Sequence, residues 1–362
     1  MYAVGPADRA AFKRCRREWD FGSLRRCGLE PVRPGPPPDL GRAVRDALAV
    51  YYFPGMWEWD RAIVRPLAHD RLDRSVRGRG APDEEALADR GHDVLTRYFD
   101  WAPLVDAFTP VRVETDFDVN IADPGEPGRA LATAAGEPVH YQDRVDLLAV
   151  DRDDNYWVVD HRVVTDRWAE LDELLLEERA TSACWAWELF FMGMRVAGVV
   201  YNELWAGPGP PPDQAGGTGE RAAREPTGPD AGRHRRMYVA GGRPPAGVSR
   251  DAGDLFRRTR VPRAPDELAR SHAQLAAEAR EMVDDGVRVY PNPTPANCGR
   301  CDYREPCVAT SRAEPVEPVL AASYRRRPGP VLEEGRLGGA TWAMGRGAAP
   351  PKFRNDKKEE DR

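Results

Sequence analysis

Apolar residues recur at nearly helical spacing through the first hundred positions and then change period. Residues Ala10 to Leu24 read as a short basic helix with Phe12, Cys15, Trp19 and Phe21 on or near one face, ended by the proline-rich break Pro34 to Pro38. A second helix starts near Asp39 and carries Leu40, Val44, Leu48, Tyr51 and Tyr52 as a stripe, and Glu84 to Trp101 gives a third. From Pro110 the period falls to 2, with Val111, Val113 and Phe117 alternating with Arg112, Glu114 and Asp118, as a half-buried strand requires. Strands at Tyr141 to Val150 and Tyr156 to Val164 follow, joined by the polar turn Asp151-Arg152-Asp153-Asp154-Asn155. A helix over Glu173 to Met194 runs into the almost wholly apolar Val196 to Leu204, the pattern of a central strand covered on both faces. A last helix is expected over Asp266 to Val283.

Composition bounds what this core can be. The chain has 362 residues, 41% of them hydrophobic and 31% charged, with 33 glycines and 34 prolines, so long stretches should be loop or tail. Residues 207–236 are low-complexity Gly, Pro and charge and read as a disordered insertion, and residues 325–362 as a disordered tail, leaving a single domain over 1–324. The formal net charge of -6 carries no global basic signature, so a nucleic-acid partner has to be met by a local groove. No apolar run suits a signal peptide or a membrane span, which leads to the expectation of a cytoplasmic protein without a membrane partner. In that compartment cysteines bind metal or stay reduced more often than they pair.

Two groups of residues carry candidate chemistry. If the turn centres on Asp153, antiparallel pairing sets Asp146 opposite Asp160, and Arg162, two residues on, shares their face. Facing carboxylates repel unless a cation lies between them, and oxygen ligands of this kind suit Mg²⁺ or Mn²⁺ beside a phosphate. A neighbouring guanidinium then stabilises transition-state charge. The alternative is a solvated sheet face on which Asp146 and Asp160 pair with Arg144, His161 or Arg162. The second group is Cys298, Cys301 and Cys307, a C-x2-C-x5-C run that needs a fourth thiolate to close a zinc site or an iron–sulfur cluster. Cys15 and Cys27 are the available partners, and Cys184 reads as a small core residue. The basic residues Arg9, Lys13, Arg14, Arg16, Arg17, Arg25 and Arg26 form either a phosphate-contacting stripe or a solvated helix face. Trp185, Trp187, Phe190 and Phe191 have the spacing of core packing rather than of a base-stacking platform.

The order of these pieces resembles the RecB-like branch of the PD-(D/E)XK nucleases, in particular the iron–sulfur members among AddB-type subunits and CRISPR-adaptation nucleases. The resemblance covers roughly residues 10–310. It implies an α/β fold: a PD-(D/E)XK nuclease-like core of a mixed central β-sheet flanked by helices, its ends clasped by a four-cysteine cluster. It further implies that Asp146 and Asp160 hold Mg²⁺ or Mn²⁺ with the backbone carbonyl of His161, and that Cys15, Cys298, Cys301 and Cys307 hold a [4Fe-4S] cluster, with Zn²⁺ the alternative. The expected activity is divalent-metal-dependent DNA hydrolysis, with an inactive DNA-binding or scaffold protein as the other outcome, alone or with a protein partner in DNA repair or processing. Three motifs depart from the family pattern: Arg162 replaces the catalytic lysine, Arg45 stands at the helix-borne histidine, and Arg179 and Ala183 replace the Gln and Tyr of Q-x-x-x-Y. Arg14, Arg17, Arg45 and Arg179 are the candidate DNA contacts.

Overall fold

The computed structural model describes residues 2–32, 39–77, 83–126, 128–191, 194–211 and 249–327. Most of the expected insertion and tail therefore lies outside the described residues. A central sheet of seven strands runs in the order β1 (Tyr2–Val4), β4 (Val139–Asp151), β5 (Tyr156–Val164), β6 (Val196–Trp205), β8 (Phe256–Pro262), β7 (Ser249–Ala252), and β3 (Phe108–Asn120) pairs with the other edge of β4. The β4–β5, β3–β4, β6–β8 and β7–β8 pairs are antiparallel, whereas β1–β4 and β5–β6 are parallel, so the sheet is mixed as expected. β6 lies between β5 and β8 and is buried along nearly its whole length, which is why its sequence is so apolar. Gly198 is obligatory there: its φ is +154°, and a Cβ would come within 2.2 Å of the Val261 carbonyl oxygen.

Helices cover both faces. On one, α3 (Leu40–Tyr51), α4 (Arg61–Val76) and α5 (Glu84–Val105) pack Val44, Leu48, Leu72 and Leu95 against Leu147, Val159 and Val200 of the sheet. The other face carries α7 (Glu178–Phe190) and α8 (Pro265–Met282), with Trp187, Leu275 and Met282 packed on Val145, Leu148 and Val199. Phe12 and Trp19, from α1 (Pro6–Arg14) and α2 (Arg16–Gly22), join this second core. Trp185 and Trp187 are buried as core residues, while Phe190 is left 43% exposed at the end of α7.

Several expected elements are re-cut. The helix expected over Ala10 to Leu24 is two helices, because Cys15 is extended (φ -160°, ψ 110°); its N–H still closes α1 on Ala11 and its carbonyl opens α2 by accepting Trp19. The helix expected from Glu173 divides into α6 (Leu171–Leu175) and α7, because the Glu177 carboxylate accepts the N–H groups of Arg179 and Ala180 and starts a new helix. A small second sheet pairs β2 (Leu29–Pro31) with β9 (Tyr324–Arg326), so the expected start of the tail at 325 is corrected: Arg325 and Arg326 lie in a strand, and the Arg325 guanidinium bonds Glu30 at 2.6 Å. A single compact unit spans Met1–Pro330.

Candidate active site

The site forms where two strands part. The β4–β5 ladder runs from Val150↔Tyr156 to Leu147↔Val159, and the next positions in this register are Asp146 and Asp160. β1 pairs with the same edge of β4 at Val139 to Tyr141, so among the described residues the edge at 142–146 has no strand beside it. Beyond Val159 the second strand continues paired with β6 alone. The side-chain alternation of β4 slips here as well, since Val145 and Leu148 pack toward α7 while Leu147 packs toward α3. Opposite the slip, Glu114 takes the left-handed φ of +42°, a conformation that few residues other than glycine adopt. The sheet thus forks at Asp146 and Asp160, where the two strands cease to pair.

Asp143, Asp146, Asp160, Arg179 and Ala180 line the resulting hollow. Asp146 is 8% exposed, and one of its oxygens accepts the backbone N–H of His161 at 3.0 Å. Burial and the neighbouring Asp160 charge push its carboxyl up to about 7, against the smaller opposing pull of the His161 N–H, Arg45 and Arg179. Burial also pushes Asp160 up, but Arg162 and Arg179 outweigh it and leave that carboxyl below its ordinary value. The two aspartates are chemically unequal for that reason: one is paired, and the other has no arginine or lysine bonded to it among the described residues.

Arginines frame the carboxylates. Arg162 Nε donates to Asp160 at 2.5 Å, its guanidinium lies 3.6 Å from Glu177, and it stacks 4.6 Å from the centre of the Tyr201 ring. Arg179 donates to Asp143 at 3.2 and 3.4 Å and to the Arg144 carbonyl at 3.1 Å, and stands 3.8 Å from Asp160. Arg45, on α3, is near enough for its charge to favour the Asp146 carboxylate. Arg14 and Arg17 lie elsewhere, beside the cysteines: Arg14 pairs with Glu18, and Arg17 reaches Ser311 at 3.1 Å and the Cys307 sulfur at 3.7 Å.

Behind the fork, on the α3 side, lies a polar network that periodicity does not reveal. His161 Nδ1 and Asn202 Nδ2 are 2.9 Å apart, so the amide donates to the imidazole. Burial and the Arg258 charge depress the His161 imidazole to about 3, which keeps it neutral. Its ring stacks on Tyr52; the Tyr52 and Tyr98 hydroxyls are 2.7 Å apart; and Arg258, 1% exposed, bonds Asp106 and donates to Tyr98 at 2.9 Å. Asp143 and Glu177 were also missed as site residues. Asp143 is visible in hindsight as the first residue of Asp143-x-x-Asp146, whereas Glu177 reads from sequence only as a helix start.

The four cysteines singled out above line one cavity of about 350 Å³, walled by the segment Pro291 to Pro293, by the short helix α9 (Pro295–Cys298) and by α10 (Arg304–Ser311). The Asn292 N–H points at the Cys15 sulfur at 3.4 Å. Cys27 turns instead toward Asp20, and Cys184 is buried beside Gly198. Among the described residues no three His, Cys, Asp or Glu side chains are grouped so as to hold a single metal ion. No helix of the described residues is long and apolar enough to cross a membrane.

Comparison with known proteins bears on the same stretch of chain. No curated protein matches it. A solved structure described as "Crystal structure of SSO0001" is similar at 12% identity, over 75% of this chain and 84% of that one, with a TM-score of 0.27. The family model of the PD-(D/E)XK nuclease superfamily matches residues 6–308, from α1 through the last of the four cysteines and every strand of the central sheet except β1; the chain belongs to that superfamily.

Proposed function

We propose that this chain is a divalent-metal-dependent DNA phosphodiesterase of the RecB-like branch, with its reaction centre in the fork between β4 and β5. The carrying observation is the pair Asp146 and Asp160 in one hollow, with Asp146 bonded only by a backbone N–H. A hard ion held by two carboxylates fits, because Mg²⁺ commonly takes one or two protein carboxylates and completes its shell with water and phosphate. The His161 N–H faces Asp146, and in an extended strand the carbonyl of the same residue leaves by the same edge, which makes it the third protein ligand. When bound, the ion lowers the pKa of water and offsets charge on the phosphate. Arg162, held by Asp160 and Glu177, presents its remaining N–H groups to a phosphate, and Arg179 is fixed for the same role by Asp143.

The second cofactor is a [4Fe-4S] cluster on Cys15, Cys298, Cys301 and Cys307. The four cysteines surround one cavity of about 350 Å³. N–H groups of Asn292 and Arg17 directed at sulfur suit thiolate ligands.

A scaffold that retains the fold without the chemistry is the alternative, favoured by one contact: the Arg162 guanidinium at 2.5 Å from Asp160 occupies a carboxylate that a metal would use. Calorimetric titration with Mn²⁺, together with hydrolysis of labelled single- and double-stranded DNA, decides between them. Tight Mn²⁺ binding and hydrolysis that is lost in Asp160→Asn are expected. Neither binding nor hydrolysis in the wild-type chain would leave only the scaffold.

A further inference from the structure

A cleft of about 270 Å³ opens beside the carboxylate hollow, lined among others by Arg42, Phe53, Met56, Arg71, Glu114 and Arg144. Arg144 lines both spaces, the hollow being closed by α7 and the cleft by α3 and α4. On α3, Arg42, Asp46 and Val50 recur at four-residue spacing and share one face of the helix, with Phe53 just beyond its end. Arg45, on the adjoining face, addresses Asp146.

The cleft wall is braced. Gly55 lies against the Phe53 ring so closely that a Cβ on it would come within 2.7 Å of the ring, and a 3-10 turn, Pro54–Met56, closes over the same side. The ring is half-buried and fixed, yet it still faces the cleft. The cations are held as well: Arg71 lies 3.3 Å from Asp46, and Arg144 is gripped by both oxygens of Asp116 at 2.7 and 2.9 Å. Each guanidinium has five N–H donors, so such contacts orient it without exhausting it. Arg42 has no carboxylate partner among the described residues.

We propose that this cleft is a subsite for one unpaired nucleotide next to the scissile phosphate, its base stacked on Phe53 beside Met56 and its phosphate met by Arg42 and Arg71. An apolar ring with arginines at one rim matches a base joined to a phosphate. The proposal rests on the reaction centre assigned above. It adds that a base at this position must be out of any duplex.

The test uses the full chain in EDTA and a short fluorescent single-stranded oligonucleotide, read by anisotropy, with melting curves to confirm that each variant folds. Phe53→Ala should weaken binding about tenfold, Phe53→Leu should do nearly the same while keeping apolar bulk, and Phe53→Trp should restore it. Arg71→Ala should lower the slope of affinity against salt by about one contact. Hydrolysis of bis(p-nitrophenyl) phosphate with Mn²⁺ by the wild-type chain reports on the reaction centre separately from oligonucleotide binding. Equal oligonucleotide affinity in wild type, Phe53→Ala and Phe53→Leu would overturn the subsite, as would a blunt duplex bound as tightly as the single strand. Phe53-dependent binding without hydrolysis of either substrate would leave the subsite standing and overturn the nuclease reading instead.

Discussion

The two aspartates at the fork differ in what holds them, and the difference has measurable consequences. Asp146 is raised to about 7 by burial and by Asp160, so the metal-free folded chain retains a proton there that the unfolded chain releases near pH 4. Metal-free stability should accordingly fall as pH climbs from about 4 to about 7 on account of this group, and level off above. A metal ligand must be deprotonated, so Mn²⁺ affinity should rise about tenfold per pH unit below 7 and flatten above it. Titrations at pH 5.5, 6.5 and 8 that gave one affinity would contradict Asp146 as a ligand. Arg162 gives a second handle. If its guanidinium meets the phosphate, Arg162→Lys should keep the rate within about tenfold and Arg162→Ala should lose 10²–10³, the usual worth of such a stabiliser. If it instead neutralises the site, Arg162→Ala should gain Mn²⁺ binding and melt earlier, because the buried Asp160 loses its bonded partner.

Elements whose pattern is local could be read from the sequence, and those made by distant pairing could not. The β4–β5 hairpin was legible because its turn and its alternating apolar residues lie within 25 positions. The strands β1, β2 and β9 are three residues each and exist only through partners far along the chain. Helix α4 escaped notice because its buried stripe, Val64, Ala68, Leu72 and Val76, is narrow and blurred by the exposed Ile63 and Leu67. The order of the motifs singled out Asp146, Asp160 and the four cysteines, and the structure brings the two aspartates to one hollow and the four cysteines to one cavity. No periodicity reports Arg258, whose charge is buried between α3, α5 and β8 against Asp106. Arg258→Ala should cost about 3–5 kcal/mol of stability, since it leaves Asp106 buried without its cation. A denaturant midpoint within error of wild type would show that Asp106 finds water or another partner.

Across the whole molecule the cysteine cavity joins α2 to the segment after α8, some 280 positions away in sequence. If a cluster fills it, the protein purified without oxygen should be brown, and Cys301→Ser should lower the melting temperature of the entire unit rather than loosen one end. Colourless protein with stoichiometric zinc would replace the iron and keep the clasp. A variant as stable as wild type would remove the clasp altogether.

The pairing of Leu29 to Pro31 with Tyr324 to Arg326 also sets a schedule. A ribosome delivers residues in order at about 5–20 per second, so β2 waits well over ten seconds for its partner, and Cys15 waits almost as long for Cys298. During that interval α3 to α5 and the hairpin can assemble on one another, since their contacts lie within the first half of the chain. The strands of the carboxylate fork can therefore pair before β2 meets β9. A nascent chain carries that fork for several seconds before the cysteine end arrives.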